Sequence, residues 1–432
     1  MTPAGLADHA FRHEYGRLVA GLVRRLGHGR LDLAEDAVQT ALLRAVQTWP
    51  RRGVPDDAAA WLRRAARNAA VDALRREATA HDRRAEVAVP AAVASEPDDS
   101  PLADESLRLL FTCCDPALAV ESRVALALKV VCGFGVGEIA RALLATDAAV
   151  LKRLTRAKDA LAAAEFTAAE VSPAELADRR HAVLAVLYLV FNEGYHSSHA
   201  DVLIRHDLCA EAVRQADALA RHPELGGPPA EALLALMLFH AARFPARQDD
   251  EGRLVLLAQQ DRSRWDQSVI REARAWLTRS ARGNELTAYH LEAAIAAEHC
   301  AAATFVATDW RRIVELYDLL CGRDPGWLHA LNRAVAVAHL HGPQAGLRGL
   351  LAARCDGAER YSHWHAALGE LHRRCGDDVA ARRHFAEALE LAGNDREREF
   401  LRGKLDTGGV GLRSDTDASM AGTAGVRKEA GP

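Results

Sequence analysis

Lysine is nearly missing from this sequence, which holds five lysines against fifty arginines, a skew read as coding-base composition more than function. Aromatic residues are scarce too, at 5% of the chain, while alanine abounds. A β-sandwich needs bulkier filling than that, so the mixture points to closely packed helices and an all-α fold. No apolar run reaches membrane length, and the first residues carry Asp8, His9, Arg12 and His13. A spanning helix and a secretory signal are therefore not expected, and the expectation is a cytoplasmic protein with no membrane partner. The eight cysteines include no C-x-x-C, so buried free thiols of a reducing compartment are expected. Adjacent Cys113 and Cys114 would point to different sides of a helix, an awkward start for a metal site.

Catalytic signatures are missing as well. There is no H-E-x-x-H, no glycine-rich phosphate loop and no G-x-S-x-G, so no enzyme activity, metal or cofactor is expected. His196, His199, His363 and His365 lie close in sequence. Without carboxylates or cysteines at ligand spacing they read as solvated.

What the chain does contain falls into blocks. At 432 residues it is too long for one core. Residues 6–80 and 102–165 read as helical units, and 81–101, rich in Ala, Pro, Ser and Asp, as a flexible linker. Residues 174–405 read as helix after helix, and 406–432, with its glycines, as a disordered tail. In the third block, paired helices are expected at Tyr289–Cys300 with Trp310–Leu320, Ala330–Ala338 with Pro343–Ala353, and Ser362–Cys375 with the helix of Gly376–Asn394. Their spacing of roughly 34–40 residues has the rhythm of a tetratricopeptide array.

Three segments carry the chemistry. In Gly135–Lys158, a short helix Val136–Leu143 leads through Leu144–Thr146 into a second helix, with Thr146 as its cap. Val150, Leu154, Ala157 and Leu161 of that helix face inward. Ala149, Lys152, Arg153 and Arg156 are left to face a DNA groove, as in a helix–turn–helix. In Ala59–Glu77, Leu62, Ala66, Ala69 and Ala73 form one stripe. Arg64, Arg67, Asn68, Val71 and Arg75 form another, able to follow phosphates and offer one amide to a base. In Leu31–Trp49, Val38, Leu42, Ala45 and Trp49 face the core, with Glu35, Asp36 and Gln39 outward. The joining segment Pro50–Asp57 reads as a loop placed to pocket an unstacked base. The first 165 residues carry a net +1 and the remainder −5, too little positive charge to grip DNA unaided.

AEDAVQTALLRAVQTWP resembles region two point two of the bacterial extracytoplasmic-function (ECF) sigma factors, and AAWLRRAARNAAVDALRRE their regions two point three to two point four. ALALKVVCGFGVGEIARALLATDAAVLKRLTRAK resembles their region four. LLFTCCDPAL, YLVFNEGY, DLCAEAVR, QDRSRWD and LNRAVAV are similar to a subgroup with a tetratricopeptide-like C-terminal extension. Two positions depart from the pattern: Gly135 replaces a usual Thr or Ser, and Asp115 a usual His.

The resemblance implies a subunit of RNA polymerase. Glu35, Asp36 and Gln39 would dock on the β′ clamp, and region four would rest on the β flap. Region two would read the −10 element of promoter DNA through Arg64, Arg67, Asn68 and Arg75. Region four would read the −35 element through Ala149, Lys152, Arg153 and Arg156. The extension would replace a separate anti-sigma factor. Asn192, Glu193, Tyr195, Asp261, Arg262, Trp265 and Asp266 are its candidate regulatory residues, unless Asn192, Glu193, Arg262 and Asp266 merely satisfy one another. Two other readings stay open: a free-standing helix–turn–helix regulator with a tetratricopeptide-like sensor, and a tetratricopeptide-type protein adaptor.

Overall fold

Apolar residues recurring at three- and four-residue steps over most of the chain give helices and little else. The computed structural model describes residues 3–81, 105–115, 118–143, 145–163, 173–195, 204–250, 252–253, 255–353, 357–392 and 395–406. Among them are 18 α-helices and no strand, so the fold is all-α. Apart from His81 and Asp406, the expected linker 81–101 and tail 406–432 lie outside the described residues, as do His196 and His199.

The described residues form two compact units. The first holds the chain up to Val190 together with Ala210–Leu219, and the second holds Phe191–Cys209 and the chain from Ala220 on.

In the first unit, α1 (Pro3–Leu26), α2 (Leu31–Arg52) and α3 (Ala58–His81) pack together around Tyr15, Val19, Val38, Leu42, Trp49, Leu62 and Ala66. Against α1 lie α4 (Glu105–Cys113) and the end of α5 (Val120–Val130). The approach is close: a Cβ on Gly16 would run into the carbonyl oxygen of Val131. Next come α6 (Val136–Ala142) and α7 (Asp147–Ala163), which pack on α5. The end of α7 also meets the short turn His28–Arg30 that precedes α2. From α8 (Pro173–Tyr195), the residues up to Val190 belong here, as does most of α9 (His206–Arg221).

The second unit is organised around α10 (Pro228–Ala241), in which every residue from Pro229 to Phe239 is buried. It is flanked by α11 (Gln267–Ser280) and α12 (Ala288–Ala301). Helix pairs follow. Leu291 and Ile295 of α12 pack with Ile313, Leu316 and Leu320 of α13 (Trp310–Arg323). Then α14 (Trp327–His341) and α15 (Pro343–Ala352) share a core with α16 (Ser362–Arg374) through Leu331, Leu350, Trp364 and Leu368. Finally α17 (Asp378–Leu391) buries Phe385 and Ala388 with Leu401 of α18 (Asp395–Asp406). Glycines set two of these approaches, because a Cβ on Gly346 would press on α14 and one on Gly369 would press on the Phe385 ring. All three expected helix pairs are helical, with Ala353 and Cys375 one residue past their helices.

Candidate polymerase and nucleic-acid interface

Helix α2 buries Val38, Ala41, Leu42, Ala45 and Trp49, the stripe its periodicity requires. Trp49 meets Trp61 of α3 edge-on, with ring centroids 5.7 Å apart. On the other side Asp36 and Gln39 are exposed, as expected. Glu35 is not. The outward reading of Glu35 is corrected, since it is 3% exposed. Its Oε1 accepts from the Tyr15 hydroxyl at 3.1 Å and its Oε2 from Lys158 Nζ of α7 at 2.5 Å. Lys158 also donates to Asp32 Oδ1 at 2.5 Å.

A buried carboxylate requires such partners, because an unpaired one would cost several kcal/mol. Burial alone would lower the Lys158 pKa, but hydrogen bonds to Asp32 and Glu35 outweigh it, so the ammonium is held above its ordinary value. Burial, then the Glu35 charge, pushes the Tyr15 phenol far up, so it stays protonated and can donate to Glu35. Tyr15, Asp32 and Lys158 were not candidate interface residues. Tyr15 lies 20 residues from Glu35 and Lys158 lies 123, beyond the reach of any local pattern.

Helix α3 buries Leu62, Ala66 and Ala69, with Ala73 half-buried, and leaves Arg64, Arg67, Asn68 and Arg75 exposed along one side beside half-buried Val71. The expected loop Pro50–Asp57 is shorter than its composition suggests. Pro50 sits in the last turn of α2, where its missing N–H forfeits only one helix bond. Gly53, at φ 83°, ends the helix, and its N–H closes on Trp49 O at 3.0 Å. Asp57 then caps α3 by accepting from Ala60 N at 2.8 Å.

Between α6 and α7, Thr146 Oγ1 accepts from Ala149 N at 3.2 Å, the expected cap. Val150, Leu154, Ala157 and Leu161 are buried. Lys152 and Arg156 are exposed, with Ala149 and Arg153 half-buried. At the start of α6 the missing hydroxyl at Gly135 is offset, since Glu138 Oε2 accepts from the Gly135 N–H at 2.7 Å.

Cys113 and Cys114 are both buried and unbridged. Burial raises both thiols, Cys114 to about 12, so neither is a ready thiolate. Asp115 has its own work. Its Oδ2 accepts from Arg179 Nη2 of α8 at 2.6 Å, and Arg179 Nη1 donates to Phe111 O at 3.2 Å, so the buried guanidinium fastens α8 to the end of α4.

The candidate regulatory residues of the second unit are held by several kinds of contact. Asn192 and Glu193 are buried. Tyr195 lies under the Arg247 guanidinium, 3.5 Å from its ring centroid, and near His240. Arg262 donates to the carbonyls of His299 at 2.5 Å and Ala302 at 2.8 Å and lies over the buried Trp265 ring. Asp261 accepts from Ser263, and Asp266 caps α11 through Ser268 and Val269. These hydrogen bonds hold both carboxyls below their usual range. Arg262 and Asp266 are thus satisfied at separate places, by carbonyls and a ring face for the one and by a helix cap for the other. The solvated reading of His363 and His365 is also corrected. His365 Nδ1 is 2.8 Å from Glu387, and His363 Nδ1 is 3.9 Å from Glu397, since a helical hairpin brings together carboxylates remote in sequence.

Residues 11–79 match the family model Sigma-70 region 2, so α1–α3 form the core of a sigma-factor-like, RNA-polymerase-binding module. Residues 179–281 match a family of unknown function (DUF6596). Over 423 residues the chain is 38% identical to the uncharacterized protein R00370 of Rhizobium meliloti (strain 1021), covering 94% of this chain and 96% of that one. The chain belongs to one family with that protein. No solved structure matches it. No helix among the described residues is long and apolar enough to cross a membrane.

Proposed function

We propose that this protein is an ECF-type sigma factor that carries RNA polymerase core to −10/−35 promoters in the cytoplasm. The observation that carries the reading is the region-two module itself. Its α3 holds Arg64, Arg67, Asn68 and Arg75 exposed in a row on a helix whose opposite side is buried. Such a row suits a single-stranded −10 element, with a flipped base resting near the Gly53–Asp57 loop. In the same reading α6 and α7 are a helix–turn–helix of region four, whose Lys152, Arg153 and Arg156 meet −35 phosphates and bases beside the small Ala149. Polymerase supplies most of the affinity, which suits the modest charge.

The polymerase-docking face carries a second idea. Asp36 and Gln39 face solvent, while Asp32 and Glu35 are engaged by Lys158 of region four. The free protein is therefore partly closed. Binding to the β′ clamp would exchange the Lys158 contact for polymerase contacts and release α7 toward the β flap and −35 DNA. A competitor of this kind lowers apparent affinity by the fraction of molecules that are open. In the extension, stacked helix pairs of tetratricopeptide-like form would govern that opening in place of a separate anti-sigma factor.

Run-off transcription with purified core polymerase tests the reading. Full-length protein should start transcription only from a −35/−10 template and should bind duplex promoter negligibly alone. Tight sequence-specific duplex binding without polymerase would favour the free-standing regulator, and absence of any core binding would favour the adaptor.

A further inference from the structure

The hairpin of α16 and α17 carries His365, His372 and His384, with Glu387 one turn after His384. Gly369 allows α16 to lie against the Phe385 ring, and that close approach brings the two helices' polar side chains together. Glu387 Oε2 lies 2.8 Å from His365 Nδ1 and 3.1 Å from His384 Nδ1. The two Nδ1 atoms are 3.3 Å apart. Three potential ligand atoms, each from a different side chain, thus form a nearly equilateral triangle. Tetrahedral zinc with bonds of about 2.0–2.1 Å sets its ligand atoms about 3.3 Å apart, close to these edges.

The surroundings also favour a metal. His365 Nε2 lies 2.9 Å from Glu359 O, a carbonyl that can only accept, so Nε2 donates there and Nδ1 is the ring atom that faces the triangle. The His372 ring stacks on His384, with centroids 5.5 Å apart, and its own Nδ1 lies 3.3 Å from Asp377, which holds the stack in place. The His365 and His384 side chains are only 12% and 11% exposed, whereas Glu387 is 41% exposed and provides the entry side. One contact must give way. Arg383 Nη2 lies 3.3 Å from His384 Nε2, and a ligating Nδ1 requires the proton on Nε2, so this exposed arginine would turn to solvent.

We propose that His365, His384 and Glu387 bind a divalent transition metal of the zinc type, with water completing the coordination and the ion clamping α16 to α17. Untagged full-length protein, stripped with chelator, is titrated with Co2+ and then with Zn2+. One Co2+ per chain should bind with the visible bands of four-coordinate cobalt and no thiolate charge-transfer band, and Zn2+ should displace it. Glu387→Gln should weaken binding at least about ten-fold and His365→Ala more, while Arg383→Ala should bind as well or better. Zn2+ should raise the melting temperature of the unsubstituted chain and not that of His365→Ala. Glu387 is partly exposed, so its variant keeps the test valid should His365→Ala fold poorly. Failure of the unsubstituted chain to bind, equal affinity in Glu387→Gln, or a thiolate band showing that cysteines hold the metal would each overturn the proposal.

Discussion

The two units both use buried charge pairs, and they differ in what else holds their polar groups. In the first, buried charges pair across long stretches of sequence, with Glu35 to Lys158 and Asp115 to Arg179. In the second, such pairs recur, with Glu231 to Arg279 and Glu370 to Lys404, and Arg247, Arg262 and His240 are held in addition by ring faces and backbone carbonyls. A charge pair can be dismantled by a partner that offers its own charges. A neutral buried imidazole responds instead to protons. Beside its charge pairs, the second unit therefore carries buried imidazoles that answer to pH.

The largest expected effect is on the Asp115–Arg179 pair. Asp115→Ala leaves a buried guanidinium without its carboxylate and should destabilise the first unit by about 3–5 kcal/mol, read by denaturant unfolding. A loss below 1 kcal/mol would mean that distant pairs do not hold this unit. Next, Arg67→Ala removes a cation from the open row on α3. It should lower open-complex formation by roughly ten-fold or more, about 1.4 kcal/mol at least, while core binding is unchanged. An equal loss of both would make α3 a polymerase contact.

Acid should separate the units. Burial, reinforced by Arg243 and other nearby cations, lowers His240 well below its usual value and His299 to about 3. Both are neutral in the folded chain and gain protons on unfolding below about pH 6.5, so stability is present above that pH and lost as pH falls. His329, raised by Asp324, opposes this. Lowering the pH from 7 to 5 should destabilise the second unit by on the order of 1 kcal/mol for each of the two imidazoles per pH unit below the unfolded pKa. Hydrogen exchange resolved by segment would show the loss in α10–α12, and uniform loss in both units would break the contrast.

Periodicity made the inward faces of α2, α3 and α7 legible, because a helix that packs on a core must repeat its apolar residues. The Thr146 cap was equally legible, since its partner is three residues away. Glu35 was misread for the same reason that its helix was read correctly. Its position outside the apolar stripe says nothing of which distant element covers it. Pro50 looked like a loop residue because proline usually stops a helix, yet in the last turn it is tolerated. The His365–Glu387 contact was hidden because its residues sit on separate helices, and only the close packing at Gly369 joins them.

The closed face of α2 is tested most directly by the affinity of the Lys158→Ala variant for RNA polymerase core, measured beside the unsubstituted chain. Removing the lysine frees Asp32 and Glu35 from α7. A gain of about 1 kcal/mol, roughly five-fold tighter binding, is the predicted result. Weaker or unchanged binding would contradict a docking face held shut by α7.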